Sequence, residues 1–387
     1  MANKKKITLV FGTRPEAIKM SPLVLALKTR PEFETSVLVT AQHRELLDSV
    51  LEAFGVAPDV DLNIMSPGQS LTEITCKALT GVGEALQSLK PDLVLVHGDT
   101  ATTFAASLAA FYAGIAVGHV EAGLRTFNKR EPFPEEIYRL LTTRLADLYF
   151  PPTAEAKDNL LRENIPSDNI FVTGNTEIDA LYTLLGNKNW PGFKNSAFNR
   201  LDKEKKLVVM TAHRRENLGS PMEGICRVMS QIIEENEGVQ LVWPMHPNPD
   251  VRRTARAFLG GRERVNLTEA DEVDDMYHLL NICDMVVTDS GAIQEISASL
   301  HKPCVVLRNV TERPEGVATG ALKLGGNTGE SVYGAVTQVL RDSAVYYSMA
   351  KARNPFGDGK ASERIVSGLL YHFGYSQNRP EDFKLNN

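Results

Sequence analysis

Cysteine is scarce in this chain. Its four cysteines, Cys76, Cys226, Cys283 and Cys304, lie far apart among 387 residues and form no CxxC pair, which excludes a disulfide scaffold and the usual paired-thiol metal or redox sites. Buried free thiols in a reducing cytoplasm are the expectation. Long apolar runs are missing too. No stretch approaches the ~20 apolar residues that span a bilayer. The run behind the basic ANKKK segment is only five residues long before Gly12, too short for the core of a signal peptide. Positive charge is not in excess: the net charge is −6 and the pI about 5.8. A broad face for nucleic acid is therefore not expected, and any anion has to be met by a local cluster. That favours a small ligand, with neither nucleic acid nor membrane as partner. The dinucleotide fingerprint GxGxxG is absent, so a nicotinamide cofactor is not favoured. His97, His119, His213 and His246 show no HxH or HExxH spacing, so no metal is expected.

What is present is ordinary globular material: 43% hydrophobic and 23% charged residues with 20 prolines, enough at this length for two cores of comparable size. In the first half ITLVF (Ile7 to Phe11), SVLVT, DLVLVHG, AVGHVEAG and LYFPP alternate with helix-like segments such as 16–28 and 44–54. In the second half KLVVMTAH, VQLVWPMHP, RVNLTE, MVVTDSG and CVVLR repeat the scheme. Continuous β-branched runs between amphipathic helices predict βαβ units on parallel sheets covered on both faces. The expectation is an α/β chain of two Rossmann-like domains, residues 1–180 and 181–360. The polar stretch Gly186 to Lys206 is the expected crossover, and the terminal helix, within 361–387, is expected to pack back on the first domain.

Ligands of open parallel sheets bind beyond the carboxyl ends of strands, and polar residues gather at those positions. Arg14 follows the first strand, Gln42, His43 and Arg44 the second, His97 and Asp99 the next, and His119, Glu121 and Arg125 the one after. In the second half the equivalents are His213 to Asn217, His246 and Asp289 to Gly291, with Arg313 after the last strand. In FGTRPEAIKM, Pro15 suits the first helical position, which leaves backbone donors at a positive helix end beside Arg14 and Lys19. Either an anion such as a diphosphate binds there, or Arg14 pairs with Glu16. In DSGAIQE, Ser290 and Gly291 open a helix and offer similar donors, unless Ser290 is an ordinary N-cap. Asp99, Glu121 and the pair Glu135 and Glu136 are carboxylates suited to general acid or base work if a cleft buries them. Their structural alternatives are an N-cap for Asp99 and first-turn dipole partners for Glu135 or Glu136. His213, beside Arg214, Arg215 and Glu216, suits a phosphate or a proton transfer.

FGTRPEAIKM, VTAQHRE, LVHGDTATT, GHVEAGLRT, PFPEE, VTGNTEIDAL, TAHRRENLG, TDSGAIQE and TERPEG, in this order over nearly the whole chain, closely resemble the non-hydrolysing UDP-N-acetylglucosamine 2-epimerases. The resemblance implies a GT-B-like fold of two Rossmann-like domains facing a central cleft, a cytoplasmic homodimer, and reversible conversion of UDP-GlcNAc to UDP-ManNAc for polysaccharide biosynthesis. It implies no cofactor and no metal. In the family's chemistry UDP leaves C1 as the C2 proton is lost, giving a 2-acetamidoglucal; UDP then adds back while C2 is reprotonated from the other face. By the same matching Asp99, Glu121 and Glu135 are the catalytic carboxylates and His213 is the histidine at the diphosphate. Arg14, Lys19, Ser290, Gly291, Ala292 and Arg313 fall at substrate-binding positions. Gln42, Arg214 and His246 match a second, regulatory UDP-GlcNAc site.

Some positions depart from the family's pattern. Ala292 and Ile296 stand where S-G-G-x-Q-E-E has its second glycine and second glutamate. That glutamate contacts the nucleotide ribose in the family, and losing such a charge-assisted hydrogen bond typically costs ~1.5–3 kcal/mol. EADEVDDM (Glu269 to Met276) replaces the base-binding E-P-L-x-x-x-x-F, Tyr138 stands for an asparagine, and Arg130-Glu131 for a Tyr-Ser pair. At the regulatory site Glu45 and Gly68 replace a glutamine and an arginine, so allosteric activation is expected to be weak or absent. A modified sugar nucleotide as substrate, a hydrolysing epimerase releasing ManNAc and UDP, a GT-B glycosyltransferase and a non-catalytic nucleotide-sugar binding protein remain as alternatives.

Overall fold

The computed structural model describes residues 4–41, 44–66, 68–269 and 272–384. In chain order the elements run β1 (Lys5–Phe11), α1 (Arg14–Lys28), β2 (Phe33–Val39), α2 (Arg44–Phe54), β3 (Val60–Asp61), α3 (Leu71–Leu89), β4 (Leu93–His97), α4 (Ala101–Tyr112), β5 (Ala116–Val120), α5 (Glu135–Leu145), β6 (Leu148–Phe150), α6 (Ala154–Arg162) and α7 (Thr176–Leu185). There follow β7 (Lys206–Thr211), α8 (Ser220–Glu235), β8 (Val239–Pro244), α9 (Pro249–Leu259), β9 (Val265–Thr268), α10 (Val273–Ile282), β10 (Met285–Thr288), α11 (Gly291–Ser299), β11 (Cys304–Val306), α12 (Pro314–Ala318), β12 (Leu322–Leu324), α13 (Gly329–Arg341), α14 (Ser343–Ala350) and α15 (Ala361–His372). The chain divides into two units, one running to Leu184 and resuming at Gly357, the other Leu185–Phe356.

The first sheet has the order β3-β2-β1-β4-β5-β6 and the second β12-β11-β10-β7-β8-β9, parallel throughout. Counted from the first strand of each unit, both are the 3-2-1-4-5-6 order of a doubly wound Rossmann sheet. Two such units in one chain make it GT-B-like. The strand order reverses between β1 and β4 in the first unit and between β7 and β10 in the second, and a ligand crevice belongs beyond the carboxyl ends of those strands.

The sequence makes these sheets because helices cover both faces. Every residue of β4 is buried, and Val82 and Leu86 of α3 share a core cluster with Ala106, Ala109 and Ala110 of α4 and Val94 and Val96 of β4. In the second unit Trp243 of β8 is fully buried among Met210, Ile225, Met229 and Leu259. The last helix, α15, belongs to the first unit: Asp179 of α7 accepts from the amides of Ala361 at 3.0 Å and Ser362 at 2.7 Å. Beyond it, Asp382 accepts from Lys157 and from the amide of Val172.

Several local expectations are corrected. The helix after β1 begins at Arg14 with Thr13 as its N-cap, one residue earlier than Pro15 suggested. Arg313 does not follow the last strand; it caps α12, between β11 and the short edge strand β12. Cys226, Cys283 and Cys304 are buried, and burial pushes each thiol up to about 12. Cys76 is exposed, because α3 buries the stripe Ala78, Val82 and Leu86 and Cys76 falls off it. The crossover 186–206 lacks apolar periodicity yet is anchored: Trp190 stacks on His278 of α10 at 3.5 Å between ring centroids. Asp275 also accepts from the amides of Lys194 and Asn195.

Candidate active site

In the first unit the site is built at the switch point between β1 and β4 and on the neighbouring β5. Thr13 and Glu16 form a reciprocal capping box at the start of α1. Glu16 is 2% exposed; it accepts from the amides of Gly12 and Thr13 and from the hydroxyls of Thr100 and Thr103. The donors that the sequence reserved for a bound anion are thus partly filled by the protein's own carboxylate, and the loop bearing Arg14 is tied to the loop bearing Asp99. Burial raises the Glu16 carboxyl above the usual range against those hydrogen bonds. Arg14 is half-buried at the first position of α1.

Asp99 does not cap α4, because Thr100 does. Its side chain is 27% exposed and pairs with Arg139 of α5. Burial pushes it above the ordinary carboxylate range, Arg139 opposes, and Glu121 and Glu135 add to the rise. Glu121, just past β5, sits in the left-handed region at φ 59°, a conformation that costs a non-glycine residue about 1–3 kcal/mol and is typical of functional positions. It pairs with Lys19 and accepts from Asn175 at 3.0 Å. Gly98, also left-handed at φ 66°, leaves the space against Glu121 that a side chain would crowd. Glu135 opens α5 with its Oε2 buried and without a hydrogen-bond partner. Glu136 is structural: fully buried, it accepts from the amides of Thr126 and Phe127 and lies 3.3 Å from Arg139. A cavity of about 390 Å³ brings together Lys19, His97, Asp99, Glu121, Glu135 and Tyr138. Tyr138 is stacked on Phe104 at 5.7 Å. Burial lowers His97 to about 4 and His119 to about 3, so both rings are neutral near pH 7, and His119 Nε2 holds the carbonyl of Gly98 at 2.7 Å. Three acidic groups in distinct environments around one cavity can take a proton from one face of a bound ring and return one to another.

In the second unit the residues gather at the switch point between β7 and β10. Asp289, fully buried, accepts from the amides of His213 and Arg214 and from Asn217, and lies 3.2 Å from His213 Nδ1. Burial alone would raise Asp289; hydrogen bonds from His213 and these donors leave it below its ordinary value. His213 stacks on His246 at 5.1 Å. Ser290 is the N-cap residue of α11 but makes no side-chain capping bond, so its hydroxyl is not spent as a simple cap. Arg313 pairs with Glu295 and lies beside Gly291, where a Cβ would come within 3.4 Å of its guanidinium. Ala292 is half-buried in the first turn, and Ile296 is 1% exposed in the core. Arg214 lies 3.8 Å from Glu312. Gln42 and His43 lie outside the described residues, as do Ala270 and Asp271 of the altered 269–276 loop. Of the described acids of that stretch, Glu269 pairs with Arg252 and Arg256 and Glu272 with Lys194, whereas Asp274 Oδ1 is buried without a hydrogen-bond partner.

Sequence reasoning missed Arg139, Asn175 and the buried role of Glu16. Only Arg139 left a readable signal, its three-residue spacing from Glu136 on a helix. Among the described residues no group of three or more His, Cys, Asp or Glu side chains is arranged to hold a metal ion, and no helix is long and apolar enough to cross a membrane.

Comparisons with known proteins point to one family. The family model described as UDP-N-acetylglucosamine 2-epimerase matches residues 25–370. The chain is 53% identical over 380 residues to a UDP-N-acetylglucosamine 2-epimerase of Bacillus subtilis, covering 98% of this chain and 99% of that one. It is similar to the crystal structure of UDP-GlcNAc 2-epimerase from Neisseria meningitidis bound to UDP-GlcNAc, with 46% identity and a TM-score of 0.89 over 94% of this chain and 99% of that one. It is similar to the S. aureus MnaA structure with UDP, at 46% identity and a TM-score of 0.90 over 98% and 100% of the two chains. With the motifs in order, the carboxylates gathered at one switch point and the likeness running nearly end to end, this chain belongs to the UDP-N-acetylglucosamine 2-epimerase family.

Proposed function

We propose that the protein interconverts UDP-GlcNAc and UDP-ManNAc by reversible elimination and re-addition of UDP, without hydrolysis. The observation that carries this reading is the cavity in which Asp99, Glu121 and Glu135 meet with Lys19, in a chain of this family. Glu121, whose anion is favoured by Lys19 and Asn175, takes the C2 proton. The C–H electron pair forms the C1–C2 double bond while the C1–O bond breaks and its pair leaves on the diphosphate. On return UDP re-forms the bond at C1, and a proton is delivered to the opposite face of C2 from the Asp99 and Glu135 side. Arg14, His213, Ser290, Gly291 and Arg313 are the groups proposed to hold the nucleotide, its charge matched by guanidinium, hydroxyl and helix-end amide donors. Lys19 contributes by neutralising Glu121.

Incubation with UDP-GlcNAc in D2O, followed by NMR, tests the proposal. Deuterium at C2 together with UDP-ManNAc signals is the expected result. Free ManNAc and UDP in place of UDP-ManNAc would indicate the hydrolysing reaction. Absence of C2 exchange would overturn the reading for this substrate.

A further inference from the structure

His97 ends β4 with only 3% of its surface exposed, and its Nε2 has no hydrogen-bond partner. Buried polar atoms are nearly always paired, so an exception in a native site requires a reason. This nitrogen belongs to a ring that lines the cavity shared by Asp99, Glu121 and Glu135. It lies 3.9 Å from Glu121 Oε2, beyond hydrogen-bond reach. Burial keeps the imidazole neutral near pH 7, so one of its two nitrogens is an acceptor, and with the proton on Nδ1 that acceptor is Nε2. The pattern is that of a position waiting for a donor from a neutral ligand group, since an acceptor nitrogen cannot serve an anionic phosphate oxygen.

We propose that His97 is a substrate-contacting residue whose Nε2 accepts a hydrogen bond from the C3 hydroxyl of the bound sugar. The proposal rests on the epimerase reading, in which Glu121 addresses C2. An atom 3.9 Å from the Glu121 oxygen then meets a substituent on a neighbouring ring carbon. C1 carries the diphosphate, an acceptor drawn to cations; C3 carries a hydroxyl, which donates. The contact orients the ring so that the C2 hydrogen faces Glu121, and it makes an unmodified 3-hydroxyl a requirement of the site, because a sugar lacking it leaves the buried nitrogen unpaired.

The test compares wild type and His97→Ala, with His97→Leu as a second variant should the first fold poorly. Each protein is assayed for C2 deuterium incorporation on UDP-GlcNAc and on its 3-deoxy analogue. Wild type is expected to lose about tenfold or more in kcat/KM when the hydroxyl is removed, and the variants less than about twofold. A structural role alone would slow both substrates equally and leave the hydroxyl penalty intact, and equal penalties in all proteins would overturn the assignment. Wild type that exchanges no deuterium into UDP-GlcNAc itself would sink the epimerase reading and the His97 contact together, an outcome visible without any variant.

Discussion

At the scale of single residues, two adjacent glutamates have opposite fates. Glu135 keeps a buried oxygen unpaired in the cavity, whereas Glu136 spends its carboxylate on the amides of Thr126 and Phe127. Glu135→Gln is expected to lower C2 exchange by about 10²–10⁴-fold with little change in thermal midpoint. Glu136→Gln is expected to destabilise the protein by about 1–3 kcal/mol, because buried donors lose a charged acceptor; differential scanning calorimetry separates the two. Gly98 offers a backbone test. Its φ of 66° and a Cβ position 3.4 Å from Glu121 Oε1 predict that Gly98→Ala costs about 1–2 kcal/mol in stability and lowers exchange by displacing Glu121. A variant with wild-type melting and wild-type exchange would show that neither the left-handed backbone nor the close approach matters.

Among the elements, the start of α15 is held by a buried acid of α7, Asp179. Burial raises Asp179 from its ordinary 3.8 to about 6, against hydrogen bonds from Ser362 and Ala361. The folded state therefore holds this proton more tightly than the unfolded chain. The stability it contributes is full below about pH 4 and is lost as pH rises through about 6, on the order of 2–3 kcal/mol at most. Asp179→Asn should flatten this part of the stability curve, read from urea midpoints between pH 4 and 7; parallel curves for the two proteins would refute the assignment. The strands were readable because parallel β-strands covered on both faces are continuous apolar runs. β3 and β12 were not, since β3 is two residues long and β12 is interrupted by a lysine and only its first residue is buried. The crossover 186–206 was readable as polar but not as anchored, because its attachment runs through Trp190 and two backbone amides rather than through a periodic face.

For the molecule as a whole, both tryptophans, Trp190 and Trp243, lie in the second unit. Tryptophan fluorescence thus reports that unit's unfolding while circular dichroism reports both. UDP at 100 times its Kd is expected to add about 2.7 kcal/mol to the transition seen by fluorescence, as the proposed nucleotide contacts at Ser290, Gly291 and Arg313 require. A fluorescence midpoint unmoved by saturating UDP would contradict that placement.

The sequence by itself determined the alternation of strands and helices, the two Rossmann-like units and the polar residues at strand ends, because hydrophobic periodicity and strand-end chemistry are local properties of the chain. Asp99, Glu121 and His213 were legible in this way, and Glu135 only through the PFPEE motif. Only the tertiary structure decided which of these groups share a cavity and which are consumed by the fold. Glu16, one candidate partner for Arg14, is a buried clasp between two loops; Lys19, one of the expected substrate-binding residues, pairs with Glu121 across 102 residues of sequence; and His97, one more strand-end histidine, carries an unpaired nitrogen. Pairing, burial and protonation depend on neighbours that the parallel sheet brings together from distant segments, and no local pattern records them.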